Sequence, residues 1–209
     1  MKTLTKEMQA EVTPEKAIDI LKNGNARFVS NLRANRNLLQ QVNETSDGQH
    51  PFAVILSCID SRASAELIFD QGLGDVFSIR IAGNVLNEDI LGSMEFACKV
   101  SGAKTIVVLG HTKCGAVKGA CDDVKMGNLT ALLEKLKPAV NAENTILSSR
   151  NSGNVEFVQK VALLNVRNTI QQTMDRSSII KDMIERGEIA IIGGMYDVET
   201  GKVEFHGRK

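Results

Sequence analysis

The chain has 209 residues, of which 43% are hydrophobic and 24% charged, and its 25 basic residues balance its 25 acidic ones. This length suits one domain with a substantial core. The even charge argues against nucleic-acid or membrane-surface partners, which usually require a basic patch. The N-terminus lacks the apolar stretch of a signal peptide, and the longest uncharged apolar run, residues 189–196, is too short to span a bilayer. We therefore expect a cytoplasmic protein that binds neither nucleic acid nor membranes.

Residues 1–50 are expected to form an N-terminal helical arm and a loop. Thr13 followed by Pro14 is typical of a helix start, with a capping side chain and then proline at the first helical position. Apolar residues recur at helical spacing from Ile18 onward. Because the apolar surface of this segment is limited, we expect the arm to reach across a dimer. The polar residues 35–50 are predicted to be a loop.

Residues 51–209 are predicted to form the α/β core of a single domain that spans residues 1–209. Three apolar runs of strand length alternate with helical segments, a pattern that favours a mostly parallel central sheet flanked by helices. The last segment reads as strand, turn and strand, which predicts a C-terminal antiparallel hairpin. The predicted strands are residues 52–58, 75–83 and 104–110, and the predicted helices include 87–102, 154–174 and 179–186.

Two of the predicted strands end in residues that can carry chemistry. Cys58 is followed by Asp60 and Arg62, and His111 lies three positions before Cys114. The carboxyl ends of parallel strands meet at one edge of a sheet, so these side chains are expected to lie close together. Two thiols and one imidazole suit zinc in tetrahedral geometry, and three protein ligands leave the fourth position open, as in catalytic sites.

The motifs CIDSR and GHTKCGA together resemble the beta-class carbonic anhydrases, whose signature is C-x-D-x-R followed by H-x-x-C. The likeness extends from TPEKAIDILKNGNARF through IRIAGN and EFAC to GGMYDVETGKV, which is nearly the whole chain. The resemblance implies that Cys58, His111 and Cys114 bind one Zn²⁺ per subunit. It also implies that Asp60 and Arg62 form a dyad that orients zinc-bound hydroxide. The implied reaction is the reversible hydration of carbon dioxide to bicarbonate and a proton.

The dyad has two possible arrangements. Paired with Arg62, Asp60 stays ionised and is held off the metal, where it accepts a hydrogen bond from water or hydroxide. Without Arg62, Asp60 could become the fourth zinc ligand and expel the water. Both arrangements occur in the family, and we hypothesise that low pH favours the closed one. Gly83 is expected to let the backbone approach the metal closely.

Three further residues are assigned to substrate binding by the same resemblance. Gln49 falls where some members place an amide that donates to substrate, and Phe77 and Phe96 fall where the family lines its carbon dioxide pocket with apolar rings. The family shares this pocket across a dimer interface, which implies a homodimer or a dimer of dimers. The alternatives are that Gln49 is an ordinary loop residue and that both rings belong to the core.

The sequence favours the plant-like, non-allosteric subgroup of the family. A regulatory bicarbonate site in other members uses Trp, Arg and Tyr, whereas this chain has no tryptophan. Ile55 occupies the Trp position and Arg80 the Arg position. Arg80 is otherwise expected to pair with a carboxylate.

Three alternative functions are considered. A thiol enzyme could use Cys58 or Cys114 as nucleophile and His111 as base, although this leaves Asp60 and Arg62 unexplained. A non-catalytic relative could keep zinc without turnover. A nucleotide-binding protein is disfavoured, because no G-x-G-x-x-G follows a predicted strand.

Overall fold

The computed structural model describes residues 3–209, which fold around a five-stranded sheet in the order β2-β1-β3-β4-β5. The first four strands are parallel, and β5 pairs antiparallel with β4. The predicted mostly parallel sheet and C-terminal antiparallel hairpin are therefore confirmed. The strands are β1 (Ala53–Ser57), β2 (Val76–Arg80), β3 (Thr105–His111), β4 (Ala190–Tyr196) and β5 (Val203–His206).

Helices surround the sheet and also form the N-terminal arm. A 3-10 turn, Ala82–Asn84, follows β2, and a π-helical turn, Phe96–Val100, extends α5. We call the first of these the glycine turn. The α-helices are α1 (Lys6–Ala10), α2 (Pro14–Val29), α3 (Leu38–Glu44), α4 (Ala65–Ile68), α5 (Glu88–Glu95), α6 (Gly115–Cys121), α7 (Gly127–Glu134), α8 (Lys137–Ala142), α9 (Val155–Arg176) and α10 (Ser178–Glu185).

Two of the helices begin at residues whose side chains cap the first turn. The Thr13 side chain accepts a hydrogen bond from Lys16 N at the start of α2, and the Asn87 side chain accepts one from Ile90 N at the start of α5. Each cap satisfies a backbone N–H that has no partner inside its helix. The helix start predicted at Thr13-Pro14 is confirmed, and the helix predicted from residue 87 begins at an Asn87 cap.

The prediction of a loop over residues 35–50 is wrong in part, because α3 lies within it. Asn37 caps this helix by accepting from Gln40 N, and the buried Gln41 accepts a hydrogen bond from Leu73 N. The sequence prediction also omitted α7 and α8, which lie between α6 and α9.

Both faces of the sheet are covered, which explains why every residue of β1 and β3 is buried. Val54 faces α5, α9 and α10, whereas Ile55 faces the N-terminal arm. On that second face, Leu21 of α2 is fully buried against the chain's own strands. Gly24 allows this close packing, since a Cβ at that position would lie 1.8 Å from Phe69 O. The second arm helix therefore packs on its own subunit.

Parallel packing places the carboxyl ends of β1 and β3 side by side. Ser57 is in register with Leu109, so Cys58 follows β1 at the level where His111 ends β3.

Among the helices of residues 3–209, none has both the length and the apolar composition of a membrane-spanning segment.

Candidate metal centre

The structure brings three potential metal ligands together at this edge of the sheet. The ligand atoms of Cys58, His111 and Cys114 all lie within 4.8 Å of one another. Their side chains are buried, with at most 4% of any of the three residues exposed. Three residues from two separate stretches of the chain thus form one compact cluster.

A tight turn places His111 and Cys114 on the same side of the cluster. His111 is the last residue of β3, and Cys114 is the N-cap residue of α6. Between them, Lys113 adopts a left-handed conformation with φ of 58°. The C-terminal hairpin secures this turn, because Thr112 N donates to Tyr196 O at 2.9 Å and Val198 N donates to Thr112 Oγ1 at 3.0 Å.

His111 is oriented for coordination through Nε2. Its Nδ1 lies 2.9 Å from Thr112 O, so Nδ1 carries the proton and donates to that carbonyl. This leaves the lone pair on Nε2, which is buried and has no hydrogen-bond partner among residues 3–209. A backbone carbonyl that fixes the tautomer of a metal-binding histidine is a common outer-shell arrangement. The Nε2 lone pair is therefore available to bind a metal ion.

The two thiols interact strongly. A hydrogen bond from the Cys114 thiol lowers the pKa of Cys58 to about 4, and the Gly83 N–H acts in the same direction. That interaction with Cys58, together with burial, raises the pKa of Cys114. Two adjacent thiolates without a cation would repel each other, and a divalent metal removes this conflict.

The cluster fits zinc in particular. Zinc–sulfur bonds of about 2.3 Å and zinc–nitrogen bonds of about 2.0 Å in a tetrahedron place ligand atoms roughly 3.5–3.8 Å apart. The observed spacing of at most 4.8 Å needs only small side-chain movements to reach these values. Thiolate and imidazole ligands also favour the binding of zinc over that of harder cations.

Asp60 and Arg62 form an ion pair beside the cluster. Arg62 Nε donates to Asp60 Oδ1 at 2.9 Å, and Nη2 donates to Oδ2 at 2.8 Å. The backbone N–H of Arg62 also donates to Oδ1, at 3.0 Å. These bonds hold the pKa of Asp60 well below its usual range, so the carboxylate is ionised at neutral pH. Asp60 Oδ2 lies 3.9 Å from His111 Nε2, which places the carboxylate next to the cluster.

Arg80 stabilises the loop that carries Cys58 and Asp60. Its Nε donates to Cys58 O at 3.0 Å, and its Nη2 donates to Asp60 O at 2.7 Å. The expectation that Arg80 pairs with a carboxylate is therefore wrong. The guanidinium instead holds two backbone carbonyls, which fixes the direction in which both side chains leave the loop.

Sequence reasoning did not identify Asn165, a buried residue of α9. Its Nδ2 donates at 2.8 Å to Gly83 O in the glycine turn, and Gly83 N donates at 3.3 Å to Cys58 Sγ. The available signal was an amide within the apolar segment VALLNV, where a polar side chain requires a buried partner.

The three predicted substrate residues lie apart from the cluster within one chain. Gln49 is exposed and precedes β1, at the opposite end of the strand from Cys58. Phe77 and Phe96 meet edge to face, with ring centroids 6.2 Å apart, in a cleft along the edge strand β2. Since Phe96 is 51% exposed, the alternative that it is a core residue is wrong.

Several known proteins are similar to this chain in sequence. Residues 53–203 match the family described as carbonic anhydrase. Carbonic anhydrase 2 of Mycobacterium tuberculosis is 39% identical over 197 residues, covering 90% of this chain and 91% of the relative. The carbonic anhydrase of Mycolicibacterium smegmatis is 37% identical over 199 residues, covering 92% and 93% of the two chains. The chain belongs to the carbonic anhydrase family.

Solved structures narrow this assignment. The beta-carbonic anhydrase CafA of Aspergillus fumigatus superposes with a TM-score of 0.70 at 29% identity, covering 92% of this chain and 89% of that one. A tetrameric beta-carbonic anhydrase of Sordaria macrospora gives a TM-score of 0.70 at 26% identity, with coverages of 80% and 86%. The predicted membership of the beta class is thus confirmed, and the nucleotide-binding alternative is not supported.

Proposed function

We propose that this enzyme catalyses the reversible hydration of carbon dioxide to bicarbonate and a proton, with one Zn²⁺ per subunit held by Cys58, His111 and Cys114. The observation that carries this proposal is the buried cluster of three ligand atoms within 4.8 Å of one another. It lies beside an ionised carboxylate in a chain of the carbonic anhydrase family.

Zinc at this site would supply a Lewis acid that lowers the pKa of water towards neutrality. Two thiolates cancel the formal charge of the cation, so this effect is weaker here than at a site of three imidazoles. The protein must therefore help to orient the attacking water through a hydrogen bond. Asp60 is suited to this role, because Oδ2 receives a single hydrogen bond from Arg62 and retains acceptor capacity next to the cluster.

The contacts of Arg62 favour the open arrangement, in which Asp60 does not bind the metal. Three N–H groups of Arg62 donate to the Asp60 carboxylate. A move of Asp60 into the fourth coordination position would break or distort these charge-assisted bonds. Arg62 therefore keeps that position available for solvent.

We also propose that the enzyme works as a homodimer or a dimer of dimers whose subunits share the substrate pocket. Strand β2 is at the edge of the sheet, and Phe96 and Val100 beside it are 51% and 71% exposed. Such an edge is prone to pair with another chain. A partner seated there could also bring Gln49 and the two rings to a metal cluster that they do not reach within their own chain.

We also propose that the enzyme belongs to the plant-like, non-allosteric subgroup and that it is cytoplasmic. This proposal is supported by Arg80, which is engaged with the carbonyls of Cys58 and Asp60, and by Ile55, which is fully buried in β1 where a regulatory bicarbonate site would need an exposed side chain. All four cysteines are free, which fits a reducing compartment.

The test combines zinc stoichiometry with stopped-flow measurement of carbon dioxide hydration. We expect one zinc per subunit and a rate that rises above neutral pH. Cys114→Ser should lose both zinc and activity, whereas Cys98→Ser, which changes a buried cysteine outside the cluster, should retain both. Activity that survives complete removal of zinc would instead support the thiol-enzyme alternative.

A further inference from the structure

A buried relay of hydrogen bonds connects helix α9 to one sulfur of the metal cluster. Asn165 Nδ2 donates to Gly83 O at 2.8 Å, and Gly83 N donates to Cys58 Sγ at 3.3 Å. We propose that Asn165 is a positioning residue, which fixes the glycine turn so that the Gly83 N–H points at Cys58 Sγ. The inference rests on the proposed role of Cys58 as a zinc ligand.

The glycine turn has a conformation that needs support from outside. Gly83 has φ of 67° and Asn84 has φ of 43°, so two successive residues are left-handed, and the second of them is not glycine. This conformation is disfavoured for residues with a Cβ and persists where surrounding contacts impose it. One backbone bond, from Asn84 N to Ile81 O at 2.9 Å, closes the turn locally. Helix α9 adds the Asn165 bond and a longer one, from Thr169 Oγ1 to Asn84 O at 3.4 Å.

The position of Asn165 is otherwise unfavourable for an amide. The residue is 3% exposed, and its neighbours on α9, Val161, Ala162 and Val166, are buried apolar residues. Burying an amide costs free energy unless it is hydrogen-bonded, so a leucine would suit general packing better. Thr173 of the same helix provides a contrast, because its buried hydroxyl donates within α9 to Thr169 O at 2.8 Å. Thr173 therefore serves the helix, whereas Asn165 serves the turn.

The Gly83 N–H affects the chemistry of the sulfur that it contacts. A hydrogen bond to a thiolate stabilises the sulfur lone pairs, so the sulfur donates less electron density to a bound metal and the cation stays more electrophilic. It also fixes where the sulfur lies. Loss of an outer-shell partner of this kind typically changes metal affinity 10- to 100-fold.

The experiment uses full-length protein loaded with Co²⁺, which reports thiolate ligation through sulfur-to-metal charge-transfer absorption. In Asn165→Leu the freed lone pairs rise in energy, so the charge-transfer band should move to longer wavelength. Because Cys58 Sγ is then no longer held in place, the zinc dissociation constant, measured by competition with a chelator, should rise roughly tenfold. Thr173→Val is the matched control, since it removes a buried hydrogen bond from the same helix and should leave both quantities unchanged.

The outcomes separate this inference from the proposed function. If wild-type protein shows no sulfur-to-cobalt band, the proposed ligand set is wrong. If wild type shows the band and folded Asn165→Leu shows it unmoved, the positioning role is overturned. Asn165→Ser, which shortens the side chain without adding an apolar group, provides a second variant that should shift the band in the same direction. An equal shift in Thr173→Val would also contradict the proposal, because it would indicate general loosening of α9.

Discussion

Two aspartates of this chain, Asp60 and Asp70, both pair with arginine but differ in what their carboxylates leave free. At Asp60 all three donors belong to Arg62, and Oδ2 still faces His111 Nε2 at 3.9 Å. The Asp60 side chain is 16% exposed and that of Arg62 is 51% exposed. The carboxylate is held from one direction and remains available from another.

Asp70 is held from several directions at once. Arg27 Nε and Ala34 N donate to Oδ2 at 2.5 and 3.1 Å, and Arg36 Nη1 donates to Oδ1 at 2.6 Å. The Asp70 side chain is 5% exposed. These contacts tie α2 and the segment after it to the turn that follows α4. Under the proposed function, the comparison separates an aspartate–arginine pair that acts in chemistry, with one side of the carboxylate open, from a pair that serves the fold, with neither side open.

The comparison predicts that Asp60→Asn will affect catalysis far more than stability. The amide keeps the size of the side chain but lacks the negative charge that makes a carboxylate a strong acceptor of a hydrogen bond from an O–H group. We expect the rate of carbon dioxide hydration, measured by stopped flow, to fall roughly 100-fold or more. Zinc content and the free energy of unfolding should stay close to those of wild type. A fall in stability that matches the loss of rate would make Asp60 a structural residue like Asp70.

Asp70→Asn should show the opposite pattern. Removing the charge leaves Arg27 and Arg36 without their shared anion, which we expect to lower the free energy of unfolding by about 2 kcal/mol. Denaturant unfolding measures this change directly. The hydration rate of the folded variant should remain within a factor of two of wild type, and a larger loss would mean that the arm acts on the metal centre.

Arg62→Lys should have an intermediate effect on rate. Lysine keeps the positive charge but cannot donate to both carboxylate oxygens with the fixed geometry of a guanidinium. The carboxylate is then held less firmly away from the metal, and we expect the hydration rate to fall about tenfold, which corresponds to roughly 1.4 kcal/mol. A rate equal to that of wild type would show that charge alone, without the paired geometry, is sufficient.

The smallest predicted effect concerns pH and the Asp70 cluster. Burial opposes ionisation of Asp70, but the hydrogen bonds from Arg27, Ala34 and Arg36 outweigh it and lower the pKa below its ordinary value. A carboxyl group with a lowered folded-state pKa stabilises the protein fully above its unfolded pKa of about 3.9. This stabilisation disappears as pH falls through the folded-state value.

The difference in the free energy of unfolding between wild type and Asp70→Asn should therefore narrow as pH falls from 5 to 3. Denaturant unfolding of both proteins across this range provides the measurement. A difference that stays constant would show that the ionisation of Asp70 does not contribute.

The metal cluster could be predicted from the sequence because two independent signals coincide there. Cys58 and His111 each end a predicted strand, and parallel strands end at the same edge of a sheet. Arg80 and Asn165 could not be predicted in the same way. Both act on backbone carbonyls, which every residue possesses, so no sequence pattern marks their partners.

Helix α3 escaped prediction because its pattern of burial is inverted. The buried residue is Gln41, at 1% exposure, whereas Leu39 is 73% exposed. An amphipathic pattern read from the sequence would place these two the other way round. Gln41 is buried because its side chain accepts a hydrogen bond from Leu73 N, which is a tertiary contact between distant parts of the chain.

The hydrogen bond from Val198 N to Thr112 Oγ1 joins residues 86 positions apart, so the turn between His111 and Cys114 is secured by a segment that is synthesised well after it. A nascent chain contains Cys58 and Cys114 before the hairpin of β4 and β5 exists to hold that turn in place. Stable binding of the proposed zinc ion therefore requires that the hairpin has been synthesised.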